Sequence, residues 1–324
     1  MKTFISHQSA LEYWRISLTV PQRSSHKRSR ISLPDNLPAK EQAGISEQTL
    51  PVTLPLHIML KKQSTSRLSK KFKQHIFTGK TPEGCFINID DSIFVSSPEF
   101  CFLQMANKYA LLGLIELGYE LCGSYSMPAA RTVTGDSRAL EKGFYDRQPL
   151  TNTKKLESFL SRMSGIKGHQ NAMRALRYIL DGSGSPMETK LSMFLTLPYK
   201  LGGFGFPKPE LNKRIILSKA DKRVSDKSFY ICDLFWTDYG LAVEYDSEQY
   251  HSGRNKIAED SKKRNSLAMI GVIVITVTKT QIFDSKEFEK VIGAISKRLR
   301  KRLRINSPKF NDVHNELRGQ LLYE

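Results

Sequence analysis

Apolar and polar positions alternate in blocks that predict discrete elements along the chain. Residues 54–60 and 85–95 carry short apolar runs of strand type. Ser97-Pro98-Glu99 opens a mainly apolar stretch through Leu117 that predicts a helix. Ser97 fits an N-cap and Pro98 the first helical position. A shorter helix is expected after Ser9, with Ser9 as cap and Glu12 three residues on. Gly and Pro punctuation over 123–149 reads as a connection, with helices following at about 154–164 and 168–180.

After Asp181-Gly-Ser-Gly-Ser185 the pattern changes. That run is a flexible joint and the best domain boundary, giving an N-terminal region 1–180 and a C-terminal domain 181–324. The predicted order from there is a helix from Pro186 to about 197, a Gly/Pro-rich turn over 202–209 and a strand at 214–218. An acidic hairpin follows over 230–246, then a charged helix at about 254–270 and a buried strand at 272–277. A last amphipathic helix begins near Ser285, with Phe288, Val291, Ile292, Ile295 and Leu299 at helical spacing.

The hairpin sets carboxylates in apolar surroundings. Asp233 lies within Ile231-Cys-Asp-Leu-Phe-Trp236, and Glu244 and Asp246 follow Leu241-Ala-Val243. Side chains two apart on a strand share a face, so Glu244 and Asp246 point the same way. Like charges in apolar surroundings are costly, and a shared divalent cation relieves them; oxygen ligands suit Mg²⁺ or Mn²⁺.

Charge sharpens this reading. Lys and Arg outnumber Asp and Glu by 50 to 32, a formal net charge of +18 over 324 residues. An acidic site on so basic a chain points to chemistry on a polyanion, first of all nucleic acid. Six basic residues fall within eight positions at the end of the last helix: Lys297, Arg298, Arg300, Lys301, Arg302 and Arg304. They could grip phosphate, or simply complement the helix dipole. Arg23, Lys27, Arg28 and Arg30 form another cluster in a Ser/Pro-rich stretch at 21–53, which reads as exposed loop.

The remaining composition narrows the classes. A hydrophobic content of 40% allows a packed core and excludes wholesale disorder. Cys85, Cys101, Cys122 and Cys232 have neither zinc-ligand spacing nor the density of a disulfide scaffold, so they read as reduced, buried thiols. The N-terminus lacks the apolar region of a signal peptide, and the longest apolar run, 269–277, is too short to span a bilayer. The expectation is a cytoplasmic protein with no membrane partner.

The order helix–strand–hairpin–helix–strand–helix, bearing Glu188, Asp233, Glu244 and Asp246, resembles the PD-(D/E)XK nuclease superfamily. More narrowly it resembles the Vsr-like, DUF559-type endonuclease domain. The matching residues are Ser185-Pro-Met-Glu188-Thr-Lys-Leu191, Asp233-Leu-Phe-Trp236 and Leu241-Ala-Val-Glu-Tyr-Asp-Ser247. His251, Asp260, Lys263, Leu267 and Gly271-Val-Ile-Val-Ile-Thr276 complete the match, over roughly 185–284. Upstream, Leu54-Pro-Leu-His57, the basic stretch Lys61, Lys62, Arg67, Lys70, Lys71 and Lys73, and Val95-Ser-Ser-Pro-Glu-Phe-Cys-Phe-Leu103 bear a weak resemblance to AbiEi-like antitoxin-type regulators.

The resemblance implies an α/β fold: a restriction-endonuclease-like mixed sheet flanked by helices, behind a mixed α+β N-terminal region that binds substrate or partner. It implies Asp233 and Glu244 as metal ligands, with Glu188 or Asp246 completing the acidic cluster. His251 would act as general acid or base, and Lys263 would neutralise phosphate or support the attacking water. Each has a plainer alternative. Glu188 fits a capping box with Ser185, Asp233 and Glu244 fit hydrogen-bonded structural carboxylates, Asp246 fits a strand-end turn, and His251 lies in a polar run.

The superfamily's usual lysine, two positions after the hairpin Glu, is replaced by Asp246. Its role would pass to Lys256, Lys262, Lys263, Gln249 or His251, and Ser247 stands where the subfamily has glycine. The expected function is Mg²⁺- or Mn²⁺-dependent endonucleolytic hydrolysis of nucleic acid, DNA ahead of RNA, in prokaryotic defence or DNA processing. The alternatives are a non-catalytic, antitoxin-like nucleic-acid-binding regulator on the same scaffold, or an RNase. The sequence names no protein partner.

Overall fold

A computed structural model describes residues 2–17, 32–36, 50, 52–63, 70–79, 81–90, 92–129, 143–217, 227–246, 254–303, 305 and 308–323, with backbone alone for 254–257. The basic cluster Arg23, Lys27, Arg28 and Arg30 lies outside the described residues, as do Arg67, Ser247, Gln249, His251 and Arg304. The chain divides into two compact units, Met1–Ile179 and Leu180–Glu324, one residue from the boundary expected at the Gly/Ser joint. Both units mix helix and sheet. Among the described residues no helix is long and apolar enough to cross a membrane.

The first unit contains a five-stranded sheet in the order β3-β2-β1-β5-β4, built from β1 (Thr3–Ile5), β2 (Leu56–Leu60), β3 (Phe72–Ile76), β4 (Phe86–Asp90) and β5 (Ile93–Ser96). β1 pairs parallel with β5 and antiparallel with β2, and β2 pairs parallel with β3. Helix α1 (His7–Ile16) follows β1 directly, and its Trp14, fully buried, donates its indole N–H to Ser96 O at 2.7 Å. The expected cap at Ser9 is corrected. Ser6 is the N-cap and Ser9 lies inside the helix, where its hydroxyl accepts from His57 N at 2.9 Å.

Ser97 does cap its helix, accepting from Phe100 N at 3.3 Å, but the single long helix expected to Leu117 is two: α2 (Pro98–Met105) and α3 (Leu111–Cys122). The chain turns at Asn107-Lys-Tyr-Ala110, where the apolar run is briefly polar. The predicted strand at 85–95 is likewise two, β4 and β5, paired antiparallel. β6 (Tyr125–Ser126) and β7 (Tyr145–Asp146) form a small pair, and α4 (Thr153–Leu160) and α5 (His169–Leu176) close the unit.

The second unit begins with α6 (Pro186–Thr196) and carries a four-stranded sheet in the order β11-β10-β9-β8. β8 (Glu210–Ile216), β9 (Phe229–Trp236) and β10 (Leu241–Asp246) are antiparallel neighbours. β11 (Ile273–Thr278) pairs parallel with β10, a connection that needs a crossover, supplied by α7 (Arg254–Met269). Then come α8 (Lys279–Phe283), α9 (Ser285–Arg298) and α10 (Pro308–Tyr323). The strand expected to be buried, β11, is corrected to an edge strand, with Ile273 45% exposed; its uncharged β-branched run reflects one-sided packing.

Leu191 and Phe194 of α6, Leu234 of β9, Leu241–Val243 of β10 and Ile292 of α9 are fully buried in this unit. Each large aliphatic or aromatic side chain removed from water in this way stabilises the fold by ~1.5–3 kcal/mol. α7 contributes Leu267 to a cluster with Tyr230, Cys232 and Ala242, which fixes the helix over the central strands.

Candidate functional site

Asp233 and Glu244 lie on β9 and β10 where the ladder between them opens. The paired positions are Leu241 with Trp236, Ala242 with Phe235 and Val243 with Leu234, and pairing stops one step before Glu244 meets Asp233. On the other side β8 and β9 pair through Leu211 with Leu234 and through Lys213 with Cys232, so Asn212 is the position facing Asp233. Asn212 has φ +46, a left-handed conformation that asparagine tolerates better than most residues. Asn212, Asp233 and Glu244 thus form one row across three strands, continued on β11 by Thr276, the registered partner of Glu244.

Glu188 reaches this row from the first turn of α6. Ser185 caps the helix, accepting from Glu188 N at 3.2 Å. The Glu188 carboxylate does not complete the capping box. Its Oε2 accepts from Gly184 N at 2.7 Å and from Asn212 Nδ2 at 2.6 Å, and Asn212 Nδ2 also donates to Gly182 O at 2.9 Å. The helix start is thereby tied to the opened strand.

Asp233 Oδ2 accepts from Tyr245 N at 2.8 Å, bridging the gap in the ladder. Lys263 on α7 donates to Glu244 Oε2 at 2.5 Å and to Ile231 O at 2.7 Å. Glu244 Oε1 is buried and has no hydrogen-bond partner among the described residues. Burial, then the charges of Glu188 and Glu244, push the Asp233 carboxyl up to about 7. Burial also raises Glu188, against the hydrogen bonds from Gly184, Asn212 and Ser185 and with the charge of Glu244. Burial and the adjacent Glu244 hold the Cys232 thiol at about 12, so it is a packed side chain and not a nucleophile.

The structure therefore brings together Glu188, Asp233, Glu244 and Lys263. Asp246 ends β10 in register with Thr278 and is partly buried. Among the substitutes for the absent lysine, Lys263 is the one whose ammonium meets Glu244; Lys262 is exposed and the side chain of Lys256 lies outside the described residues. Asn212 was missed by sequence reading, which started this strand at Arg214. The alternation of Leu211, Lys213 and Ile215 around it was the available signal.

Of the C-terminal basic group, Lys297 and Arg298 end α9 and are exposed, as are Arg300 and Arg302 beyond it. Lys301 is partly buried, and its ammonium donates to Gly205 O.

Fold and site together define a mixed-sheet α/β unit whose carboxylates converge from a helix and two strands beside a helix-borne lysine. Among the described residues no three His, Cys, Asp or Glu side chains are gathered tightly enough to form a metal-holding group by themselves. No family model, curated protein or solved structure matches the chain.

Proposed function

We propose that the second unit hydrolyses phosphodiester bonds of nucleic acid, DNA ahead of RNA, using Mg²⁺ or Mn²⁺ held by Asp233 and Glu244. One observation carries this reading: a buried carboxylate oxygen, Glu244 Oε1, has no donor among the described residues, beside an Asp233 carboxyl pressed up to about 7. Such a site is short of positive charge. The donor set suits a hard cation, because Mg²⁺ is commonly held by one or two carboxylates and keeps several waters. A bound ion of this kind would activate water and stabilise charge on the phosphate oxygens.

The chain's own residues supply the rest. Lys263 fixes the Glu244 carboxylate through Oε2, and its ammonium would neutralise an approaching phosphate oxygen. Glu188, anchored by Gly184 and Asn212, adds negative charge that draws a cation. The exposed Lys297, Arg298, Arg300 and Arg302 give nonspecific hold on the phosphate backbone.

A second reading has one observation in its favour. Lys263 already neutralises Glu244 at 2.5 Å, as a scaffold without catalysis would need. The two are separated by incubating the full chain with supercoiled plasmid, linear duplex, single-stranded DNA and structured RNA in Mn²⁺, Mg²⁺ or EDTA, with Glu244→Ala alongside. Metal-dependent cutting that disappears in the variant supports hydrolysis and identifies the polymer. Equal nucleic-acid binding by both proteins, without cutting and regardless of EDTA, overturns it in favour of the regulator.

A further inference from the structure

A second cluster of functional side chains lies wholly within the first unit. His57 and Met59 on β2 stand in register with Lys73 and His75 on the parallel β3. Residues two apart share a face, so these four line one side of the sheet. His7, the first residue of α1, brings its ring over His75, with centroids 3.5 Å apart and planes 14° from parallel. His7 also has φ +50, a conformation costly for a residue other than glycine, and its N–H donates to Gln104 Oε1 at 2.8 Å. These groups border a cavity of about 550 Å³, within the size range of pockets for small ligands.

The lining defines the ligand class. Lys73, Lys108 and Lys167 reach the cavity together with the three histidines, and no carboxylate lines it among the described residues. Lys108 is positioned by donating to Gln8 Oε1 at 2.8 Å. The cavity also opens at the amino end of α1, whose dipole favours negative charge. Apolar and aromatic side chains, including Met59, Phe77, Phe100 and Leu103, line the rest of the cavity.

His75 Nε2 and His57 Nδ1 share one hydrogen bond at 3.1 Å. Whichever ring donates, the neutral pair has one N–H and one lone pair left on its outer nitrogens. The shared bond uses a lone pair that a metal would need, and three lysines repel a cation.

We propose that this pocket binds a nucleoside phosphate, either a free mononucleotide or the phosphorylated end of a strand, with its phosphate on Lys73 and Lys108 and its ring on the apolar lining. The proposal is independent of the hydrolytic reading of the second unit. The imidazoles are held neutral: burial first, then the neighbouring imidazoles and lysines, lower His7 to about 3 and His57 and His75 to about 4. A bound phosphate offsets that cationic field.

The test is calorimetric titration of the full chain in EDTA, so that the acidic site plays no part. The probes are adenosine 5′-monophosphate, adenosine, and a short single strand with either a 5′-phosphate or a 5′-hydroxyl. The expected result is binding of the monophosphate at least tenfold tighter than adenosine. Lys73→Ala/Lys108→Ala and His75→Phe should each weaken it at least tenfold, while Lys290→Ala, an exposed lysine of the second unit, leaves it unchanged. The double lysine variant alters exposed side chains, so its folding is secure even if His75→Phe fails to fold. Preference for the 5′-phosphorylated strand over the monophosphate assigns a strand end; the reverse assigns a free nucleotide. No binding of any phosphorylated probe, or equal binding by wild type and both variants, overturns the proposal. So does stoichiometric Zn²⁺ binding, titrated separately without EDTA, that excludes the monophosphate.

Discussion

Lys263 Nζ lies 2.5 Å from Glu244 Oε2, joining the crossover helix α7 to the strand that carries the central carboxylate. The same ammonium reaches Ile231 O on β9, so a single side chain ties one helix to two strands on either side of the opened ladder. Both partners are largely removed from solvent, with side-chain exposures of 22% and 17%. Asp246, two residues after Glu244, carries no cation, and the ammonium beside Glu244 comes from a different element, α7.

Lys263→Met removes the charge while keeping most of the stem. Glu244 would then be a partly buried carboxylate with no cationic partner among the described residues. The expected loss of folding stability is ~1–3 kcal/mol by urea denaturation at pH 7. Lys263→Arg keeps a cation and should lose less. Cutting by Lys263→Met, if the hydrolytic reading holds, should fall at least 100-fold in Mn²⁺. Full stability with full activity would remove Lys263 from any role at the site.

Asn212 combines a positive φ with two side-chain hydrogen bonds, to Glu188 and Gly182. Asn212→Gly keeps the backbone conformation and loses only the amide. Asn212→Ala loses the amide and adds left-handed strain of ~1 kcal/mol. Thermal unfolding should therefore rank wild type above Asn212→Gly and Asn212→Gly above Asn212→Ala. Reversal of the two variants would show that the conformation at Asn212 is unstrained.

Much of this site was legible because carboxylates inside apolar strand runs are rare without a purpose. Asp233 among Cys232, Leu234 and Phe235, and Glu244 after Ala242 and Val243, stand out at period two, and the predicted hairpin differs from β9 and β10 by one residue at its start. Elements lacking such contrast were not legible. β1 is three residues long, and β3 reads as part of a basic stretch because Lys73, Gln74 and His75 obscure its alternation. α10 had a signal, in Phe310, Leu317 and Leu321, all buried, but it follows the densest basic run in the chain. Asn212 could not be placed without register, because its significance is its position opposite Asp233. The histidine pocket draws from residues 7, 57 and 75, which the β1–β2 and parallel β2–β3 pairings bring together.

The turn that sets the two acidic strands depends on Gly240. It has φ +51, and a Cβ there would lie 2.7 Å from Gly271 O, a backbone atom that cannot swing away. Gly240 O also accepts from Ile273 N at 2.8 Å, linking this turn to the start of β11. Gly271 has φ +79, but a Cβ on it would meet nothing within 4 Å. Gly271→Ala should cost only the conformational strain, ~1–2 kcal/mol. Gly240→Ala should cost that plus the clash, ~2–4 kcal/mol. Chemical denaturation of the two variants under one set of conditions checks the order; equal losses would mean that the β9–β10 turn relaxes around the added methyl.

The raised Asp233 carboxyl makes stability depend on pH. Its pKa rises from 3.8 to about 7 on folding, chiefly through burial and then through Glu188 and Glu244. Between those values the folded state holds a proton that the unfolded state has released. This group's contribution is therefore most favourable below about pH 4 and declines as pH rises to about 7. Asp233→Asn stays neutral and can still accept from Tyr245 N, so it should be more stable than wild type at pH 8, by ~1–3 kcal/mol, with the advantage shrinking toward pH 4. A cation bound by Asp233 must displace that proton, so Mn²⁺ should raise the wild-type melting temperature more at pH 8 than at pH 5.5 and leave Asp233→Asn unmoved. Calorimetric scans at the two pH values, with and without Mn²⁺, give the answer. An equal shift in wild type and variant would place the ion elsewhere, and no shift in either would leave Asp233 as a structural carboxyl bonded to Tyr245 N.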